Sequence, residues 1–427
     1  MSEPEPIGVI GAGWVGLVTA ACFAELGHQV VARDIVPEKI EALRAGRVPI
    51  HEPGLEQLIE KNRERLTFTT EMDQLLDVAR LFFICVETPP TRSGDADLRA
   101  VMRAVEEIAD GEGRALVMKS TVPVGTGRSI SRQMGGLAYV SCPEFLREGS
   151  AVKDFLGPDR VVIGAEPGDQ WAADAVAALY EPLGAPIVRT DISSAEMIKL
   201  ASNAFLATKI SFINEIANVC DEVGADVTEV GRGMGLDERI GPKFLNAGLG
   251  FGGSCFPKDT QALKMLAENI GYHFQLLSSV IEVNELQKRR VISKLSKHLG
   301  SLEGKRIALL GLAFKPDTDD MREASSLVLS GRLQGEGATV AAYDPVAEER
   351  ARELLPEIEL YPSALDALEG ADAAVLVTEW PEFAELDWAE VARRMRNPLI
   401  VDGRNFLDPE AVRAAGLTYD GIGRPVG

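Results

Sequence analysis

Short apolar runs alternate with amphipathic stretches near both ends of this chain, while its middle carries apolar residues at helical spacing. Brief apolar runs bounded by turn residues mark buried parallel strands, and the stretches between them mark covering helices. Residues 7–10 (Ile-Gly-Val-Ile) predict a first strand, the segment to Ala24 a helix that Gly27 stops, and Gln29–Ala32 a second strand. Ala79–Val86, Ala115–Lys119 and Leu137–Ser141 predict three more. From Ser193 the period changes. A capping box, Ser193 to Glu196, predicts the start of a helix running to about Val223. Its apolar positions, among them Ile198, Leu200, Phe205, Phe212 and Ile216, cover more than one face, so it is expected to be buried between domains or subunits. Helices are also predicted over Thr260–Asn269 and Phe274–Leu299, with Lys288, Arg289, Arg290, Lys294 and Lys297 forming a solvated face. The alternation then returns, with strands at Lys305–Leu310, Thr339–Tyr343, Ala373–Thr378 and Leu399–Val401 and a helix at Ser325–Gln334.

The first strand ends in Gly11-Ala12-Gly13-Trp14-Val15-Gly16, a GxGxxG in a strand–turn–helix setting. Gly11 makes the turn, Gly13 lets a pyrophosphate approach the backbone, and Gly16 permits close packing of helix on strand. Asp34 follows Gly16 by 18 residues, where a carboxylate binds the ribose hydroxyls of NAD and repels a 2′-phosphate. Arg33 beside it is a residue type that also serves NADP. The C-terminal alternation lacks a full GxGxxG, which suits a nucleotide but not a dinucleotide. The predicted fold class is therefore α/β, with two Rossmann-like doubly wound domains joined by a long central helix and a helical region. Expected boundaries are 1–192, 193–300 and 301–427.

Composition narrows the partners. At 427 residues the chain exceeds one core, and 46% hydrophobic content with a mean hydropathy of +0.02 is ordinary for a soluble globular protein. A net charge of −21 argues against nucleic acid and against an anionic membrane. The acidic opening, Met1-Ser2-Glu3-Pro4-Glu5-Pro6, is unlike a signal peptide, and no apolar run reaches transmembrane length. Five widely spaced cysteines without a CxxC pair point to reduced thiols in the cytoplasm and to no metal site.

The chemistry concentrates in a few places. Residues 248–260 place four glycines within six positions, immediately before Ser254-Cys255-Phe256-Pro257-Lys258-Asp259. A thiol in a constrained turn beside charged groups is a way to build an activated nucleophile. Lys199 and Asn203, four apart on the long helix, read either as joint holders of an oxyanion or as a polar surface stripe. Glu144 and Glu148 read either as acid–base groups or as solvated loop carboxylates.

Together these residues resemble the UDP-glucose/GDP-mannose dehydrogenase family over nearly the whole chain. The resemblance rests on Gly-Phe-Gly-Gly-Ser-Cys-Phe-Pro-Lys-Asp (250–259), Pro143-Glu144-Phe145-Leu146-x-Glu148-Gly149, Lys199-x-x-x-Asn203, and the run from Phe314-Lys315-Pro316 to Arg322-Glu323. Arg239-Ile240-Gly241 and Asp402-Gly403-Arg404 look like the branch that acts on UDP-glucose. The family implies NAD-dependent, four-electron oxidation of a sugar's primary alcohol to a carboxylate. Here that means UDP-glucose to UDP-glucuronate with two NADH, or the same chemistry on GDP-mannose or a UDP-N-acetylhexosamine. An aldehyde has no second hydride to give until a nucleophile adds to it, which explains the need for Cys255. A two-electron hydroxyacid dehydrogenase would have no use for that cysteine, and a decayed scaffold would be expected to have lost at least one of these residues.

The resemblance also implies roles. Cys255 is the nucleophile, Lys199 and Asn203 stabilise developing oxyanions, Asp259 positions the lysine or a water, and Thr121 and Glu144 form the water-holding and acid–base pair. Gly11, Gly13, Val15, Gly16, Asp34, Lys39, Thr88, Ser120, Thr121, Glu148, Lys258 and Arg322 fall where the family contacts NAD. Glu144, Phe145, Leu146, Glu148, Lys199, Asn203, Phe251, Gly252, Lys315 and Arg404 fall where it holds the UDP-sugar. Arg239 would reach in from a second subunit, and the long helix would be the homodimer interface. Arg33 and Cys142 depart from the family pattern, where an apolar and a small polar residue are expected.

Overall fold

The computed structural model describes residues 6–91, 94–108, 113–134 and 136–425; most of the acidic opening segment, residues 1–5, lies outside them. The chain divides into two compact units, one of residues 1–202 with 261–272 and the other of residues 203–260 with 273–427.

The first unit is built on eight strands: β1 (Ile7–Ile10), β2 (Val30–Arg33), β3 (Leu66–Thr69), β4 (Leu81–Ile84), β5 (Ala115–Met118), β6 (Ala138–Ser141), β7 (Val161–Ala165) and β8 (Ile187–Thr190), in the order β3-β2-β1-β4-β5-β6-β7-β8. β1 lies between β2 and β4, pairing Ile7 with Val30 on one side and with Leu81 on the other. The reversal of strand order on either side of β1 opens the crevice in which doubly wound sheets bind nucleotides. Every pairing is parallel except that of β6 with β7. Sequence reading overlooked β3, β7 and β8. Residues 161–165 are a short apolar run (Val-Val-Ile-Gly-Ala) that periodicity cannot tell from a helix segment, and β8 has exposed and half-buried positions, so it carries little apolar signal. Helix α1 (Trp14–Glu25) is buried from Gly16 to Ala24 against this sheet.

The second unit has six strands, all parallel: β9 (Arg306–Leu310), β10 (Thr339–Tyr343), β11 (Glu359–Leu360), β12 (Ala373–Leu376), β13 (Leu399–Asp402) and β14 (Thr418–Gly421), ordered β11-β10-β9-β12-β13-β14. Its turn after β9 resembles the first unit's, with Gly311 at φ +89° packed against Thr378. Asp344, at the end of β10, accepts the Leu312 and Ala313 amides at 2.6 and 3.0 Å and the Trp380 indole N–H at 3.1 Å.

Helix α2 (Ile192–Val223) continues from the first unit into the second, the division falling after Ser202. Its start corrects the expected capping box. Asp191 accepts the Ser194 amide at 3.1 Å and the Ser194 hydroxyl at 2.6 Å. Glu196 instead reaches Gly125 and Gly127, taking their amides at 2.7 and 2.8 Å. The predicted helix 274–299 is two, α3 (Gln275–Gln287) and α4 (Arg290–Leu299), parted at Lys288-Arg289. Nor is the basic run there uniformly solvated. The Lys288 side chain is 1% exposed, with Nζ 2.8 Å from Glu285, and Lys294 ties Asp221 at 3.1 Å to Asp420 at 2.9 Å. Among the described residues, no helix is long and apolar enough to cross a membrane.

Candidate active site

In the first unit the glycine turn has the geometry its sequence requires. Gly11 has φ +98°, and a Cβ on it would lie 2.8 Å from the Cys85 carbonyl oxygen. A Cβ on Gly16 would strike the Gly11 carbonyl at 1.7 Å, whereas one on Gly13 would meet nothing within 4 Å. The backbone is thus closed toward the protein and open where a pyrophosphate would approach, at the N-terminus of α1, whose second residue is Val15. Asp34 is buried and accepts the Ala12 amide and the Lys39 ammonium, each at 2.8 Å. Arg33 is occupied elsewhere, with Glu107 at 2.9 Å and the Thr70 carbonyl at 3.2 Å. These residues fit an NAD adenosine ribose.

The ends of β4 and β5 are tied together. Ser120 Oγ donates to the Val86 carbonyl at 2.6 Å, and Thr88 Oγ1 donates to the Thr121 carbonyl at 2.8 Å. Glu196 holds the far end of this Thr121 loop, at the start of the helix Thr126–Gln133. Burial raises the Glu196 pKa, opposed by the hydrogen bonds from Gly125 and Gly127.

Beyond β6 the loop turns inward. Glu144 and Lys199 are 6% and 3% exposed, and Lys199 Nζ lies 2.7 Å from Glu144 Oε1 and 2.8 Å from its carbonyl oxygen. The Leu146 amide donates to the other carboxylate oxygen at 2.6 Å. Burial pushes the Glu144 pKa up, but the Lys199 charge and hydrogen bond, with the Leu146 amide, outweigh it and hold the carboxyl below its ordinary range. Glu144 is therefore no solvated loop carboxylate. The Phe145 ring carries the Arg160 guanidinium 3.4 Å from its centroid and Lys199 Nζ at 5.5 Å. Glu148 and Leu146 are half-buried on the same loop.

The second unit holds the thiol. Helix α5 (Phe256–Asn269) starts at the residue after Cys255, earlier than predicted, and the Asp259 amide donates to the Cys255 carbonyl at 2.8 Å. Cys255 is half-buried, while Cys22, Cys85, Cys142 and Cys220 are buried. Burial, opposed by Lys119, pushes Cys22 and Cys85 up to about 12, which leaves them protonated at neutral pH. Cys142 and Cys220 are raised by burial too.

The glycine loop is clamped. The Asn284 side chain accepts the Phe251 amide at 2.8 Å and donates to the Phe251 carbonyl at 3.0 Å, as a neighbouring strand would. A Cβ on Gly250 would lie 2.5 Å from Asn284 Oδ1, on Gly252 2.3 Å from the Glu323 carbonyl, and on Gly253 2.7 Å from the Phe314 ring. Asn214 and Gln287 hold Gly248 through its amide and its carbonyl, each at 2.8 Å. Arg404 donates to the carbonyls of Gly250 at 3.1 Å, Phe314 at 3.3 Å and Val377 at 2.7 Å. Asp259 is 1% exposed, accepting Asn203 Nδ2 at 2.6 Å and Lys258 Nζ at 2.7 Å. Lys315 Nζ lies 5.5 Å from the Phe314 ring centroid.

Two expected contacts are engaged locally. The Arg239 side chain is 89% exposed and lies 2.6 Å from Asp237, and Arg322 chelates Asp320 with Nη2 at 2.8 Å. Asn214, Asn284, Gln287 and Glu52 were not singled out by sequence reading, and Glu196 was read only as half of a capping box. The available signal was a polar residue on a helix face that is otherwise apolar, which Asn284, following Leu277 and Val280 on the buried face of its helix, illustrates.

The chain matches the three profiles of the UDP-glucose/GDP-mannose dehydrogenase family: the NAD binding domain over residues 5–184, the central domain over 193–286 and the UDP binding domain over 308–409. The UDP-glucose 6-dehydrogenase TuaD of Bacillus subtilis is 48% identical, the alignment covering 98% of this chain and 93% of that protein. The UDP-glucose 6-dehydrogenase of Rhizobium meliloti is 45% identical over 98% of this chain and 99% of its own length. Among solved structures, a UDP-glucose dehydrogenase from the archaeon Pyrobaculum islandicum superposes with a TM-score of 0.91 at 39% identity, over 99% of this chain and 98% of that one.

Proposed function

This chain belongs to the UDP-glucose/GDP-mannose dehydrogenase family, and we propose that it oxidises UDP-glucose at C6 to UDP-glucuronate. The observation that carries the reading is Cys255, a half-buried thiol at the start of α5, in a chain whose other cysteines are buried with raised pKa values. A helix N-terminus favours an anion, and a thiolate is the nucleophile that an aldehyde oxidation needs.

NAD, when bound, supplies the hydride acceptor for two successive oxidations. In the first the C6 alcohol loses a hydride and a proton to give an aldehyde. The Cys255 sulfur then adds to the carbonyl carbon, and the carbonyl oxygen takes a proton to complete a thiohemiacetal. Loss of a second hydride and a proton leaves a thioester. Water attacks it, the C–S bond breaks, and the uronate and the thiol are released. Lys199 and Asn203 stabilise the oxyanions of these steps. Asp259 orients Asn203, with which it shares a 2.6 Å hydrogen bond. Glu144, held as a carboxylate, accepts a proton, and Thr121 holds the hydrolytic water. The turn at Gly11, Gly13, Val15 and Gly16, with Asp34 and Lys39, takes the adenosine end of NAD. Thr88, Ser120, Glu148, Lys258 and Arg322 take the remainder. Phe145, Leu146, Phe251, Gly252, Lys315 and Arg404 hold the UDP-sugar.

A homodimer is supported by α2, on which Phe205, Phe212 and Val219 recur every seven residues and are 66%, 49% and 57% exposed. The partner's copy of this helix would cover that stripe, and Arg239 would reach the second active site. The cysteine thiols suit the reducing cytoplasm.

The test is the NADH yield from limiting UDP-glucose, with Cys255→Ser alongside. Two NADH per UDP-glucose from the unsubstituted enzyme, and almost no turnover by the variant, is expected. One NADH would overturn the thioester route, and none would transfer the proposal to GDP-mannose or an N-acetylated UDP-hexosamine.

A further inference from the structure

Glu52 belongs to neither the glycine turn nor the Glu148 loop, yet it joins them. Its side chain is 6% exposed and accepts three hydrogen bonds. Trp14 Nε1 donates to Oε2 at 3.0 Å, the Gly149 amide to Oε2 at 2.8 Å, and the Ala151 amide to Oε1 at 2.8 Å. Trp14 is the first residue of α1, inside the glycine turn, and Gly149 directly follows Glu148. Gly149 itself has φ +79°, so the loop bends sharply there. Among the described residues no ammonium or guanidinium is paired with Glu52. Its hydrogen bonds come from N–H donors, and removing the carboxylate would leave the buried Ala151 amide and the half-buried Trp14 and Gly149 donors without this acceptor.

We propose that Glu52 is a positioning residue for the cofactor. One carboxylate sets the distance between the turn that receives the pyrophosphate and the loop that carries Glu148, so the width of the NAD cleft is fixed before NAD arrives. The proposal rests on NAD binding by the first unit and not on which sugar is oxidised. Glutamine in place of Glu52 cannot serve the same set, because its amide nitrogen would face an N–H that needs an acceptor.

The experiment is calorimetric titration of the full-length enzyme with NAD, comparing Glu52→Gln, Trp14→Phe and Trp14→Tyr. Glu52→Gln is expected to weaken NAD binding by about tenfold, the scale of a lost hydrogen bond to a charged group. Trp14→Phe, which removes the indole donor and leaves the Gly149 and Ala151 bonds in place, is expected to weaken it in the same direction. Trp14→Tyr supplies a phenolic donor and is expected to recover most of the loss. Unchanged NAD affinity in Glu52→Gln would overturn the proposal. So would a Trp14→Tyr no better than Trp14→Phe, since a general loss of packing would not respond to a restored donor. If Glu52→Gln fails to fold, the two Trp14 variants decide alone. An unsubstituted enzyme that binds no NAD would instead refute the functional reading.

Discussion

Replacing Lys199 with methionine keeps the length and apolar bulk of the side chain and removes its charge. In the folded protein this strands the Glu144 carboxylate, which is 6% exposed, with the Leu146 amide as its remaining close donor. At an effective dielectric constant of about 20, charges separated as these are attract by roughly 6 kcal/mol. Desolvation consumes part of that, and removing one partner of a buried pair costs about 3–5 kcal/mol. The penalty should depend on pH with a definite sign. In the unsubstituted protein the folded pKa of Glu144 lies below the unfolded value, so its stabilisation is present above about pH 4.3 and is lost as pH falls through the folded pKa. In Lys199→Met burial is no longer opposed by the ammonium, and the folded pKa should rise above the unfolded one. The variant's deficit should then be largest at pH 7.5 and shrink by up to about 1.4 kcal/mol per unit as Glu144 takes up its proton. Urea midpoints between pH 7.5 and 5 measure this, with Glu144→Leu/Lys199→Met expected to regain most of the loss. A deficit independent of pH, or a double variant worse than either single one, would refute the reasoning.

Two other outcomes follow from the geometry. Asp34→Ala should raise the KM for NAD by about tenfold and narrow the preference for NAD over NADP, read as the ratio of kcat/KM values, because the carboxylate is the group that repels a 2′-phosphate. Phe212→Asp on α2 should shift sedimentation from dimer toward monomer; an unchanged dimer would move the interface off this stripe.

Much of this molecule was legible in its sequence because its signals are local. The GxGxxG turn needs only a few neighbouring residues, and the strands at 7–10 and 115–118 are apolar at every position but one, Gly8. What was missed is long-range. Ser193 to Glu196 has the spacing of a capping box, but Glu196 caps amides some 70 positions earlier in the chain, and no local pattern separates the two choices. Glu52 likewise meets Gly149 and Ala151 across 97 and 99 positions. Lys288 reads as one of a basic surface run until the break between α3 and α4 turns it inward. The candidate site divides the same way: Cys255 announces itself by its glycines, while Asn284, which shapes them, sits unmarked on a helix.

That clamped loop bears on how such an enzyme can diversify. At positions 250, 252 and 253 the space for a side chain is already taken by Asn284, the Glu323 backbone and the Phe314 ring. Variation there would have to displace the Asn284 amide that clamps the loop, the Glu323 backbone or the Phe314 ring, so the nucleophile's cradle tolerates single substitutions poorly. Selectivity for one sugar over another must therefore drift through residues around the cradle, leaving the bond-making centre as the invariant around which new specificities are assembled.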